Sequence, residues 1–294
     1  MNYKEFLSYV HRKVQENLGE HTRVELHHVT KNNAVAKDGL LIIEDGRNIS
    51  PIIYLNNFYT AYQMGTSMPE IISDVIQACR QNQIDTQAEQ EFYQEFSQVS
   101  GKVVCKLINY EKNREVLKRT PHFHYLDLAV VCCYLVDHGS LGKGTVQIYR
   151  SHLEMWEITE KELIENAKEN TLKLLPWTLQ SMEDLFADFG YRPVFDGKEE
   201  GFPMYILSNR EKTLGASVIL YDQVLQSVAR RLKEDFYILP SSVHECMVVP
   251  RSIRFSRKIL AEMVRDVNRT QVPPEDVLSN EVYLYDCEKH SLTL

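Results

Sequence analysis

His122 and His124 stand two apart in HFHY, and a β-strand would carry both imidazoles on one face. That spacing suits a metal chelate, and Glu25 with His27 in VELHH repeats it. If the two strands were neighbours, three or four nitrogen and oxygen ligands would converge. A zinc or non-haem metal site needs such a set, and the ion would activate water for hydrolysis. The plainer alternative is strand surface facing solvent, since no HExxH or grouped Cys/His motif accompanies the pairs. A second constellation is Ser241, Ser242, His244 and Glu245 in LPSSVHECMVVP. It has the residue types of a serine hydrolase: a nucleophile, a base and an acid to orient the base. It lacks a GxSxG elbow, and Pro240 followed by two serines also reads as a tight turn held by local hydrogen bonds. Asp127 interrupts the apolar run YLDLAVV. A carboxylate there is either held by a structural partner or is a functional acid with a perturbed pKa. HGSLGKGT looks like a phosphate loop, but Gly144-Thr145 leads into VQIYR and opens no helix, so a hairpin turn with Lys143 exposed is expected. No cofactor is implied. The 2 tryptophans and 16 tyrosines are enough for a binding face, although their spacing fits core and sheet packing.

The elements that must position these residues follow from periodicity. Tyr3, Phe6, Leu7, Val10, Val14 and Leu18 make one helical stripe, stopped by Gly19. TRVELHHV alternates as a strand with one wet face, and GLLIIEDG and ISPIIYLN are two more strands around a turn at Asp45-Gly46-Arg47-Asn48. Ser67 and Glu70 predict a capping box for a helix over 68–83, followed by a polar connection over 81–98. VVCKLINYEKNREVLK has helical spacing. HFHYLDLAVVCCYLVD and GTVQIYRSHLEMW are the arms of a hairpin around HGSLGKG. Thr159 and Glu162 box the next helix, and a short helix near Ser181–Phe189 precedes a polar loop from Tyr191 to Phe202. PMYILSN and GASVILY then read as paired strands, with Asp222 capping a helix over 223–234. FYILPSS and ECMVVP form a second pair, followed by a helix near 256–268 and a closing strand, VYLYDCEK. The expected fold is α+β: mostly antiparallel sheet with helices on one face, in serial strand–strand–helix units. It falls into two lobes, 1–120 and 121–294, or forms one domain.

Composition narrows the function classes. The 294 residues carry 41 acidic and 33 basic side chains, a formal charge of −8, which removes the clustered positive charge a nucleic-acid binder needs. With 44% hydrophobic and 25% charged residues the chain can bury a core. Six cysteines without a CxxC, among them the vicinal Cys132 and Cys133 that a strand points to opposite faces, are expected to be reduced packing residues. The charged N-terminal segment has no signal-peptide core, and no membrane span is expected, so the expected location is cytoplasmic.

Several phrases in order, VTKNNAVAKDGLLI, ISPIIYLN, KLINYEKN, HFHYLDLAVV, LIENAKENTLKLLP, VILYDQVL and YILPSSVHE, resemble an uncharacterised bacterial domain-of-unknown-function family of similar length, common in anaerobic Gram-positive bacteria. From KELIENAKEN to the final helix the arrangement is also distantly similar to a second uncharacterised family. The resemblance implies an intact bacterial cytosolic protein and brings no activity, cofactor or catalytic residue. The functional expectation is a non-enzymatic interaction or regulatory module with a protein partner and neither nucleic acid nor membrane. The alternative is a metal-dependent or serine hydrolase at His122/His124 or Ser242/His244/Glu245.

Overall fold

The computed structural model describes residues 1–19, 22–44, 52–81, 94–137, 143–188, 204–253 and 255–294. The expected turn at Asp45–Asn48, most of the 81–98 connection, the 138–142 hairpin tip and the 191–202 loop lie outside these residues, as does the side chain of Lys143. The chain divides into two compact units, Met1–Val99 with Val136–Thr145, and Ser100–Leu135 with Val146–Leu294.

In the first unit, α1 (Tyr3–Leu18) opens on a capping box: Asn2 Oδ1 accepts from Glu5 N–H, and the Glu5 carboxylate accepts from Asn2 N–H. β1 (Thr22–Thr30), β2 (Ala36–Glu44) and β3 (Ile52–Tyr54) form an antiparallel sheet in that order, with Val24 opposite Ile42 and Leu40 opposite Ile53. α2 (Asn56–Gln63) and α3 (Met68–Gln81) follow. Phe6, Val10 and Val14 of α1 and Ile71 and Val75 of α3 are buried with Val24, Leu40, Ile42 and Ile53 in one core. Each such side chain removed from water stabilises the unit by about 1.5–3 kcal/mol. α4 (Phe96–Val99) ends this stretch.

The second unit holds two antiparallel sheets. In one, β4 (Val103–Asn109), β6 (Leu128–Asp137) and β5 (His122–Tyr125) lie in that order, with β7 (Lys143–Gln147) also paired to β6. α5 (Arg114–Leu117) and α6 (Arg150–Trp156) are short, and α7 (Glu160–Leu174) runs beside β4. The other sheet has six strands: β8 (Trp177–Ser181), β9 (Tyr205–Asn209), β10 (Phe236–Leu239), β11 (Cys246–Pro250), β12 (Tyr283–Asp286) and β13 (Ser291–Thr293). Their spatial order is β13-β12-β10-β11-β9-β8. α8 (Met182–Asp188), α9 (Asp222–Leu232) and α10 (Arg257–Thr270) accompany it. Leu260 and Val264 of α10 share a core with Leu239, Val249 and Met204, while Phe236, Ile238, Cys246 and Val248 are also buried. The fold is α+β, built on antiparallel pairing.

Several segments depart from their expected form, and HFHYLDLAVVCCYLVD, expected as one hairpin arm, is itself two antiparallel strands, β5 and β6. VVCKLIN is β4: its burial on both sides removes the alternation that marks a half-wet strand, so a continuous apolar run imitates a helix. Within the second hairpin arm, RSHLEMW is α6, with Leu153 and Trp156 buried three apart and the His152 ring stacked on Trp156 at 5.4 Å. GASVIL is a buried 3-10 helix over Gly215–Leu220 following Leu214 in the left-handed region (φ 55°). Because GASVILY is no strand, α9 does not follow a strand pair, and the serial strand–strand–helix pattern is interrupted there.

The Thr159 box is complete. Thr159 Oγ1 accepts from Glu162 N–H at 3.2 Å, and the Glu162 carboxylate accepts from Thr159 N–H at 2.8 Å. Its neighbour Leu163 is fully buried. Thr159→Ala is therefore expected to cost about 1 kcal/mol, read as a lower urea midpoint at unchanged slope.

Candidate functional site

Ser242, His244 and Asp127 all meet one segment of the second unit, Asp276 to Tyr283. Val243 N–H donates to Asp276 O (2.9 Å), Leu278 N–H to Ser241 O (3.0 Å) and Ser279 N–H to Pro240 O (2.9 Å). Ser242 and Val277 form an isolated antiparallel bridge. The proline-serine turn thus acts as half of a two-stranded strap. The strap is fastened from two further elements. Asn109 Nδ2 at the end of β4 donates to Leu278 O (3.0 Å), and Asn268 Nδ2 on α10 donates to Ser279 O (2.8 Å).

Asp127 sits in the two-residue turn between β5 and β6, beside Leu126 in the left-handed region (φ 56°). Its carboxylate accepts from Ser279 Oγ at 2.6 Å and from Tyr283 Oη at 2.5 Å. Burial first, and then the adjacent carboxylate, push the Tyr283 phenol far above its ordinary value, so the phenol keeps its proton and donates it. Asp127 is held by two hydroxyls, both more than 150 residues away in sequence.

At the other end of the strap, His244 is held through both ring nitrogens. Nδ1 accepts from Leu214 N–H at 3.3 Å, and Nε2 faces Asp276 Oδ1 at 3.6 Å. An acceptor at Nδ1 places the ring proton on Nε2, toward the carboxylate. Ser242 Oγ accepts from the His244 backbone N–H at 3.1 Å, which is a serine-turn bond, and neither ring nitrogen is directed to the hydroxyl. Ser208 Oγ donates to His244 O (2.7 Å), and Glu245 is half-exposed on the following residue. A serine mechanism needs the imidazole lone pair that Leu214 N–H occupies here.

The metal-spaced pairs lie apart in topology. Glu25 and His27 are on β1, in the β1-β2-β3 sheet, whereas His122 and His124 are on β5, in the β4-β6-β5 sheet, so their strands are not neighbours. Glu25 accepts from His27 Nε2 at 3.0 Å and pairs with Arg23 at 2.5 Å; His27 and then Arg23 hold its carboxyl below the usual range. His122 Nδ1 donates to Thr120 O (2.8 Å), which leaves Nε2 as the unprotonated nitrogen of the neutral ring. Tyr110 stands edge-on to His124, with ring centroids 4.6 Å apart, and lies 6.1 Å from His122. No group of three or more His, Cys, Asp and Glu side chains placed to hold a metal ion occurs among the described residues.

All six cysteines are free thiols; five are buried and Cys287 is partly exposed. Burial raises the Cys79 thiol to about 11 and that of Cys133 to about 12, and it also raises Cys287, where Asp235 adds to the effect. Since the thiolate is the reactive form, the folded protein is expected to give no more than about one slow equivalent with a disulfide reagent at neutral pH, and all six in denaturant.

Sequence reasoning missed Asp276, Ser279, Tyr283, Leu214 and Tyr110. Tyr283 hides in an alternating strand and Asp276 in a proline-rich loop, and nothing in their spacing points to partners more than 30 residues away.

The chain matches the model of DUF5688, a family of unknown function, over residues 3–287, and it belongs to that family. No curated protein and no solved structure matches it.

Proposed function

We propose that this chain is a cytoplasmic bacterial protein-interaction or regulatory module that works through its surface and catalyses no reaction of its own. The observation that carries this reading is the engagement of its reactive side chains in the strap: Asp127 by two hydroxyls, His244 by Leu214 N–H and Asp276, and Ser242 by backbone. Six free thiols agree with a reducing compartment, and no helix among the described residues is long and apolar enough to cross a membrane. The test is cross-linking affinity purification of the full chain from its host, with a fluorophosphonate probe applied to the pure protein. Recovery of one partner that binds the purified chain directly, with no probe labelling, is expected. Labelling of Ser242, or turnover of a substrate without any partner, would contradict the proposal.

One observation favours the second reading, metal-dependent hydrolysis at His122 and His124. The Thr120 carbonyl fixes the His122 tautomer with Nε2 unprotonated, as metal-bound histidines commonly are. Elemental analysis of untagged protein decides it: a near-stoichiometric transition metal lost on His124→Ala supports this reading, and less than about a tenth of an equivalent rejects it.

A further inference from the structure

We propose that Cys105 and Cys132 are a redox-responsive pair, which hydrogen peroxide joins as a disulfide across β4 and β6 and a thiol reductant opens again. The register sets Cys105 directly opposite Cys132. Cys105 N–H turns away from β6 and donates to Thr171 Oγ1 (2.9 Å), and Val103 O, two residues earlier, turns outward in the same way to Asn170 Nδ2 (3.2 Å). On the facing strand, Cys132 O turns away from β4 and accepts from Ile148 N–H (3.1 Å) and Gln147 Nε2 (2.9 Å). The two cysteines are therefore a non-hydrogen-bonded pair, the antiparallel position at which Cα atoms come closest, about 4.5 Å apart. A disulfide spans Cα separations of about 4.4–6.8 Å, and residues directly opposite each other point to the same face of the sheet.

The other four cysteines are placed differently. Cys133 lies opposite Val104, on the other face, and is buried with Leu175 and Leu214. Cys79 belongs to α3 of the first unit, Cys246 to β11, and Cys287 follows β12. Burial raises the Cys132 thiol well above its ordinary value, and a charge on Cys105 adds to this more than any other group does. Burial also raises Cys105, against the Thr171 and Tyr221 hydroxyls within hydrogen-bonding reach and the Lys168 ammonium, all of which favour its thiolate. The resting pair is protonated. Tyr221 is half-buried, and the hydroxyl that meets Cys105 also donates to Lys168 O (3.1 Å) in an exposed contact. Opening of that contact admits a peroxide, which is little larger than water, and keeps out a bulky disulfide reagent.

The chemistry balances with hydrogen peroxide as the oxidant. The Cys105 sulfur, as its thiolate, attacks one peroxide oxygen, the O–O bond breaks, and the departing hydroxide takes up the thiol proton as water. The Cys132 sulfur then attacks the sulfenic sulfur of Cys105, the S–O bond breaks, and the second water leaves with the Cys132 proton. The two thiols give up two electrons and the peroxide is reduced to two waters. A thiol reductant reverses the bond by exchange, and transient pairs of this kind are the usual form of disulfide in a reducing compartment. The oxidised pair ties β6 to β4, the strand whose Asn109 fastens the strap at Leu278 O.

The test is oxidation of the folded full chain with hydrogen peroxide, followed by blocking of the remaining thiols in denaturant and peptide mass spectrometry without reduction. Two of the six thiols are expected to disappear as a link between Cys105 and Cys132, and both to return with dithiothreitol. Fragmentation of the linked peptide from the parent chain separates Cys132 from its neighbour Cys133. Cys133→Ala should keep the link, whereas Cys132→Ala should lose it and leave Cys105 to pass on to the sulfinic acid. A link from Cys105 to Cys133 or to any other cysteine overturns the pair. So does the absence of a link at a peroxide dose that consumes all six thiols of the urea-unfolded chain. Because the parent's own peptides carry the assignment, a variant that fails to fold leaves it intact.

Discussion

Asp127→Ala is expected to destabilise the protein by about 3 kcal/mol, because it leaves the Tyr283 and Ser279 hydroxyls buried without an acceptor. For a domain of this size the melting temperature should fall by roughly 6–12 °C. Tyr283→Phe alone removes donor and hydroxyl together and should cost about 1.5 kcal/mol. The double variant should be less destabilised than the sum of the two, because phenylalanine no longer presents an orphaned hydroxyl. Urea unfolding of the three variants checks this; strict additivity would mean that the pair is not coupled. The same contact fixes a pH dependence. The Tyr283 phenol is raised above its ordinary value of ~10, as is Tyr125, to about 12. Groups with raised native pKa values contribute stability that is complete below their unfolded values and is lost as pH climbs past them. Stability should therefore fall steeply above pH ~10 and do so less in Tyr283→Phe.

Gly215→Ala is expected to be the second severe change. A Cβ at this position would stand 2.2 Å from His244 O, a backbone atom, and 2.2 Å from Ser208 Oγ, which itself donates to that carbonyl. Neither can move without breaking the support of the strap, so a loss of about 3 kcal/mol or more is expected. Gly39→Ala is the control. Its Cβ would meet the Ile52 methyl Cγ2 at 2.4 Å, which can rotate away, and Ile53 O at 3.1 Å, so about 1 kcal/mol should suffice. Denaturant midpoints separate the two; equal losses would show that the packing around Gly215 yields more readily than its geometry implies.

The elements legible in the sequence are those whose signals are local. α1, α3, α7 and α10 show one apolar stripe and capping side chains within three residues of their starts, and β1 alternates because one face is wet. β4 and the 3-10 helix at Gly215 are not legible, because complete burial erases the polar half of the period. The site shows the same division. Asp127, Ser242 and His244 stand out by residue type, but what they do depends on Tyr283, Ser279, Asp276 and Leu214, which only the tertiary fold brings near. The facing of Cys105 and Cys132 is likewise invisible in one dimension: both look like ordinary apolar positions until the β4–β6 register sets them side by side.

The side chains that resemble a reaction centre are also engaged by the strap, and the proposal that this is their role is tested most directly by the state of one ring. Long-range 1H–15N correlation NMR of the full chain should find His244 Nδ1 without a proton, accepting from Leu214 N–H, and the ring proton on Nε2. A His244 ring with its proton on Nδ1 and a free Nε2 lone pair would contradict the account and return Ser242 and His244 to consideration as a nucleophile and its base.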